Sequence, residues 1–195
     1  MNDPLSNGKI ILDLCGGTGA WSRPYVEEGY DVRLVTLPQH DVRTYEPPPN
    51  VYGILAAPPC TMFSLARTTA KKPRDFWEGM ECVRACMKII WDCRCRQRLA
   101  FWALENPTGY LRQFLGRPNF TFNPCDFGDP YTKKTDLWGY FNAPRKRPIK
   151  MTAEEIARCA INNRKLPSIS NLTRVADKRA ITPPGFARAF FEANP

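Results

Sequence analysis

Short apolar runs separated by glycine or proline punctuate the first half of the chain. Residues 9–14 (KIILDL) are apolar and rich in β-branched side chains, which predicts a buried strand. The run enters Cys15-Gly16-Gly17-Thr18-Gly19, and a helix is expected over 21–28, stopped by Gly29. Residues 31–37 (DVRLVTL) and 51–57 (VYGILAA) predict two more strands, ended by Pro38 and by Pro58-Pro59. A polar, basic loop follows over 61–73. The longest predicted helix spans 75–98, with Phe76, Met80, Val83, Met87 and Ile90 at helical spacing. A fourth strand over 99–104 is expected to stop at Glu105-Asn106-Pro107.

Strand, turn, helix and strand in alternation predict an α/β domain with a mostly parallel sheet and helices on both faces. Ligands in such sheets bind beyond the carboxyl ends of the strands. Three strand ends carry unusual segments: DLCGGTG, AAPPC and ENP. Beyond Gly109 the pattern changes to prolines, aromatics and basic residues. Short strands are predicted at 120–122 and 135–141, and short helices at 153–161 and 184–193.

Composition narrows the class. The 195 residues are 43% hydrophobic and 12% aromatic, which supports one domain with a sizeable core. No apolar stretch approaches the roughly 20 residues of a membrane helix, and the N-terminal residues lack a charged leader and cleavage site. A cytoplasmic protein, bacterial or in a phage-infected cell, is therefore expected. The 28 Lys and Arg against 19 Asp and Glu point to a polyanionic partner. Eight Cys in a Trp-rich chain read as free thiols. With one His and no CxxC pair, no metal site is expected, and Cys82 and Cys86 would share one helix face as small core residues.

Chemistry gathers at the strand ends. The glycine turn lets a bound group approach the backbone and offers helix-start N–H donors. It lacks the Gly-Lys-Ser/Thr of a phosphate loop; a plain strand-to-helix connection is the alternative. Pro58 and Pro59 would stiffen the chain and present Cys60 at the sheet edge, as a nucleophile or as a small core residue. Glu105 at a neighbouring strand end could exchange a proton with a heterocycle, or be a capping or surface acid. Thiolate, carboxylate and glycine turn around one pocket fit conjugate addition to carbon 6 of a cytosine, followed by transfer of an electrophile to carbon 5.

The segments DLCGGTGAW, APPCTMFS, ALENPTGYL and RAITPPGFARAF, in this order, resemble the motif set of DNA cytosine carbon-5 methyltransferases, in a short phage-like form. The resemblance covers residues 9–141 and 179–193. It implies a Rossmann-like methyltransferase fold, S-adenosylmethionine as cofactor and a flipped-out cytosine in double-stranded DNA as substrate. It makes Cys60 the nucleophile and Glu105 the contact to ring nitrogen 3, with Pro59 shaping the turn and Asn106 ordering the loop. Asp13, Cys15, Gly17, Thr18, Gly19, Leu37, Asp41, Pro58 and Thr182 would line the cofactor site. Ser64, Lys133, Lys134, Arg145, Lys146 and Arg147 are the candidate substrate contacts.

The chain departs from the family in several places. Cys15 stands where the family usually has Phe. The second strand ends at Thr36-Leu37 without an acid, so Asp41 is left to serve the ribose or the adenine. Lys133 and Lys134 stand near the place of an Arg motif, and Lys does not copy a bidentate Arg contact. On this reading residues 1–142 with 179–195 form the catalytic domain. Residues 143–178 form a short basic insert in place of a full recognition domain. From 143 to 180 there are 10 Lys and Arg against 3 Asp and Glu. Such a segment grips phosphates without specifying bases, so a short or relaxed target, or a homodimer, is expected. The alternatives are the same chemistry on RNA, a different group transferred, a non-catalytic DNA-binding protein on a degenerate methyltransferase fold, and a redox or metal protein.

Overall fold

The computed structural model describes residues 8–68, 70–96, 98–149, 166–173 and 175–195. Six strands form one sheet: β1 (Ile10–Leu14), β2 (Asp31–Val35), β3 (Val51–Ala56), β4 (Phe101–Pro107), β5 (Phe120–Phe122) and β6 (Thr135–Tyr140), in the order β2-β1-β3-β4-β6-β5. The pairings from β2 through β4 are parallel, and those of β4 with β6 and of β6 with β5 are antiparallel. The sheet is thus mixed. The long α2 (Phe76–Arg96) follows β3, and α1 (Arg23–Glu27) follows β1. Later come α3 (Arg112–Leu115), a 3-10 turn (Pro124–Phe127), α4 (Ile169–Leu172), α5 (Ala176–Ala180) and α6 (Pro184–Ala193). The helix expected at 153–161 lies outside the described residues.

Alternation along the strands divides the core into two layers. Leu12, Leu14, Val35, Ile54, Ala56 and Leu104 pack with Val83, Cys86, Ile90 and Cys93 of α2. Those helix positions recur at three- and four-residue steps, so α2 buries one stripe and leaves the other to solvent. The next residues along the same strands, Ile11, Leu55, Phe101 and Ala103, pack on the opposite face with Trp21 and Tyr25, and with Phe186 and Phe190 of α6. Helices therefore cover both faces. The C-terminal helix is held by its aromatic rings, with Phe186 stacked 4.0 Å from Phe122. Tyr25 also donates a hydrogen bond to the Asn194 carbonyl at 2.9 Å.

One strand boundary differs from expectation in a way that matters. β4 does not stop before Glu105-Asn106-Pro107 but runs through them. Its pairing with β3 ends at Ala56↔Leu104, while β6 continues to pair through Pro107↔Thr135. The edge of these last residues that faced β3 is thus opened where Pro58 and Pro59 turn the chain away. The strand expected at 135–141 was legible in the sequence, but its antiparallel pairing with β4 was not.

Candidate active site

Asp13 ends β1 on the face of Ile11, and Glu105 lies in β4 on the face of Ala103. Strand parity therefore aims both carboxylates to the side covered by α1 and α6. Between them β3 delivers Cys60. Asn106 is fully buried and donates from Nδ2 to the Pro58 carbonyl at 3.0 Å. This side-chain bond replaces the ladder bond that β3 no longer makes, and it holds the Pro-Pro segment beside β4. The chain beyond Cys60 turns tightly, with the Cys60 carbonyl accepting from the amides of Phe63 and Ser64. Ser64 bridges to Gly109, which ties the thiol's loop to the segment after Glu105.

A cavity of about 440 Å³ opens here, lined by Asp13, Gly17, Thr18, Pro58, Cys60, Glu105, Lys133 and Thr182 among others. A second, of about 470 Å³, is lined by His40, Asp41, Arg43, Glu78 and Cys82. Cys15, Thr36, Leu37 and Pro59 border both, so the two form neighbouring halves of one trough over the carboxyl edge of the sheet. Each half has the volume of a small-molecule site.

The glycine turn is shaped by the carboxylate beneath it. A Cβ on Gly16 would overlap the Asp13 carboxyl, far inside van der Waals contact, so only glycine lets the turn lie over that group. Gly17 has φ +56° and nothing within 4 Å of its would-be Cβ, which leaves its backbone open to the cavity. Asp13 accepts from the Ser22 hydroxyl at 2.6 Å, while its Oδ1 finds no hydrogen-bond partner among the described residues. Burial pushes its carboxyl up to about 6, against the pull of Ser22.

Glu105 and Lys133 face each other across the cavity. Their side chains are 13% and 11% exposed, and Lys133 Nζ lies 3.8 Å from Glu105 Oε1, an ion pair too long for a hydrogen bond. Burial holds the Glu105 carboxyl above its ordinary range; Lys133 pulls it back and Asp136 pushes it further. Burial, then the Glu105 carboxylate, raises the Cys60 thiol, and Lys133 and Arg179 oppose them. At rest the site therefore favours a neutral thiol beside a carboxyl that takes up a proton readily.

Of the expected residues, Asp13, Cys15, Gly17, Thr18, Leu37, Pro58, Pro59, Cys60, Glu105, Lys133 and Thr182 meet around the first cavity. Asp41 lies in the second, gripped by Arg43 through bonds of 2.6 to 3.0 Å, which hold its carboxyl down at about 2. Gly19 supports the turn by donating to the Gly16 carbonyl, and Ser64 and Asn106 sit behind the wall. Apart from Lys133, the basic candidates do not line the trough. Lys134 and Arg145 are exposed, Lys146 pairs with Asp126 at 2.8 Å, and Arg147 pairs with Glu192 at 3.1 Å.

Three supporting residues escaped the sequence reading. Ser22 orients Asp13. Arg43 holds Asp41. Arg74 donates to the carbonyls of Met62 and Ser64 at 2.8 and 2.9 Å, pinning the loop after Cys60 from outside. No pattern distinguishes Arg74 from its basic neighbours, because its partners are main-chain oxygens. No family model matches the chain, and no curated protein matches it in sequence.

Proposed function

We propose that this chain is an S-adenosylmethionine-dependent cytosine carbon-5 methyltransferase acting on DNA, with a Rossmann-like fold and a short or relaxed target sequence. The observation that carries the reading is the meeting of Cys60, Glu105 and the Asp13–Gly19 turn around one cavity, in the places the motif resemblance implies. The trough fits the cofactor. The open backbone at Gly17 and the unpaired Asp13 oxygen suit its charged methionine end, and the second cavity, with Asp41, suits its nucleoside. When bound, S-adenosylmethionine supplies an electrophilic methyl group.

The chain's own residues do the rest. The raised carboxyl of Glu105 gives it a proton to share with ring nitrogen 3 of an extruded cytosine. That contact drains electron density from carbon 6 and removes the negative charge that opposes ionisation of Cys60. Cys60 releases its proton to solvent in the trough, Sγ bonds to carbon 6, and the carbon 5–carbon 6 π pair shifts so that carbon 5 becomes nucleophilic. Lys133 balances charge beside the carboxyl, and Asn106 keeps the Pro58-Pro59 turn, and so the sulfur, in register with Glu105. After transfer, loss of the carbon 5 proton expels the thiolate. The exposed basic residues are assigned to the phosphate backbone, where they hold DNA without reading bases.

Incubation with radiolabelled S-adenosylmethionine and mixed-sequence duplex DNA tests this, with RNA in a parallel arm. Label on cytosine carbon 5 of DNA is expected. Label on RNA alone would reassign the substrate, and no label on either polymer would overturn the catalytic reading.

A further inference from the structure

The wall of the first cavity holds two buried polar atoms of opposite character, and neither has a hydrogen-bond partner among the described residues. One is an acceptor, Oδ1 of Asp13. The other is a donor, the indole Nε1 of Trp21. The two residues are 0% and 1% exposed, so bulk water does not satisfy them. A buried donor or acceptor left unpaired is costly, and two at one cavity call for an explanation. The chain keeps them in one corner. Ser22, the neighbour of Trp21, donates its hydroxyl to Asp13 Oδ2 at 2.6 Å and leaves Oδ1 as the bare oxygen. At neutral pH the Asp13 carboxyl, pushed up to about 6 by burial, is mostly ionised, and no cation of the described residues pairs with it.

Packing does not account for the indole. The Trp21 ring lies 5.8 Å from that of Phe186 and meets Phe190 edge-on at 5.4 Å, contacts that a phenyl ring would also make. What Trp adds at this position is the N–H. We propose that Trp21 and Asp13 form a subsite for the two charges of an α-amino acid, the indole N–H donating to its carboxylate and Asp13 Oδ1 accepting from its ammonium. The orphans match that group in number and in sign. A phosphate would be repelled by Asp13, and a simple amine would leave the indole unpaired. The inference rests on the cofactor reading of the trough and assigns the amino-acid end of S-adenosylmethionine to this corner. Trp21 thereby becomes a specificity residue, selecting ligands that keep the carboxylate. The motif resemblance gives it no such role.

Calorimetry on the full chain tests this with S-adenosylhomocysteine, the demethylated cofactor, and with its decarboxylated and deaminated analogues. Trp21→Phe keeps the aromatic packing and removes the donor. It should weaken S-adenosylhomocysteine by roughly 10- to 100-fold and leave the decarboxylated analogue bound as in wild type. Asp13→Asn should weaken S-adenosylhomocysteine but not the deaminated analogue. The wild-type chain supplies a second readout that needs no variant. Of its five Trp only Trp21 borders either cavity, so one indole N–H resonance should shift with S-adenosylhomocysteine and stay in place with the decarboxylated analogue. Unchanged affinity of Trp21→Phe for S-adenosylhomocysteine would overturn the proposal and leave the orphan N–H to a water. Equal weakening of both ligands would overturn it too, reducing Trp21 to packing. In either case wild-type binding of S-adenosylhomocysteine would leave the cofactor reading standing. No binding of any of the three ligands to wild type would instead sink the cofactor reading, and this subsite with it.

Discussion

Glu105 and Asp136 sit on neighbouring strands, one register position apart and on opposite faces of the sheet. They show two ways of burying a carboxylate. Asp136 is 0% exposed and accepts two bonds from Arg112, at 2.6 and 2.7 Å, and one from the Thr121 hydroxyl at 2.7 Å. Burial pushes its carboxyl up, but these bonds outweigh burial and hold it below the ordinary range. Glu105 has one cation, at 3.8 Å, and its carboxyl rises. Asp13 resembles Glu105, with one hydroxyl donor and one bare oxygen. The saturated carboxylate fastens β5, β6 and α3 together. The undersaturated ones face the trough, where hydrogen-bonding capacity remains for a ligand and where perturbed acids are expected at functional sites.

If that contrast marks function, the largest effects belong to the undersaturated side. On the proposed function, Cys60→Ala should reduce methyl transfer by about 10⁴-fold or more while leaving DNA affinity, which that reading assigns to basic residues, unchanged. Filter binding and label transfer on one preparation check both halves. Glu105→Gln should lower turnover by roughly 10²- to 10⁴-fold, because an amide cannot give up a proton to ring nitrogen 3. The sign of the pH dependence follows from the raised carboxyl. The protonated form is lost as pH rises through that raised value, so wild-type turnover falls on the alkaline side and the Gln variant loses that limb. A Gln variant with wild-type turnover would place Glu105 with Asp136 as a structural acid.

Much of this arrangement was legible before the fold was seen. The parallel strands β2 and β3 begin where expected, and β1 one residue later, because their apolar runs are bounded by glycine and proline. α6 matched its expected bounds, with Pro184 at its start. Cys60, Glu105 and the glycine turn, which line one cavity, stood out in the sequence because each sits at a break in a pattern. What stayed hidden depends on partners distant in sequence. β4 extends through Pro107 only because β6 returns antiparallel beside it. Asp136 reads as an ordinary polar position until Arg112 reaches it from a helix of four residues, too short to leave a periodic signal. Hidden likewise were the exposed ion pairs of Lys146 with Asp126 and of Arg147 with Glu192, which charge counting does not reveal.

On the saturated side the comparison predicts stability effects without chemistry. Arg112→Ala should destabilise the fold by about 3 kcal/mol, the low end for breaking a buried pair, because Arg112 is itself 37% exposed and water replaces part of the contact. Urea denaturation at neutral pH measures it. The depressed carboxyl of Asp136 contributes stability above the unfolded value, and this is lost as pH falls through the folded one. The variant should therefore converge on wild type in strong acid. A variant that lost methyl transfer with unchanged stability would break the contrast from the other direction.

The smallest expected effect is also the cleanest test, because it concerns one carboxylate and the sign of one slope. Asp13 goes from an ordinary value of 3.8 to about 6 in the folded chain. Between those limits the folded state holds a proton that the unfolded state has released, so its contribution to stability falls as pH rises through the window. A shift of that size corresponds to about 3 kcal/mol as an upper figure. Asp13→Asn keeps the shape, retains an oxygen for the Ser22 hydroxyl and does not titrate. Wild type should lose stability relative to the Asn variant from about pH 4 to about pH 6, and the difference should level off above that. Urea midpoints across this range measure it. The opposite slope, with wild type gaining on the variant as pH rises, would mean that Asp13 is as well paired as Asp136. The trough would then lack the spare acceptor that distinguishes its face of the sheet.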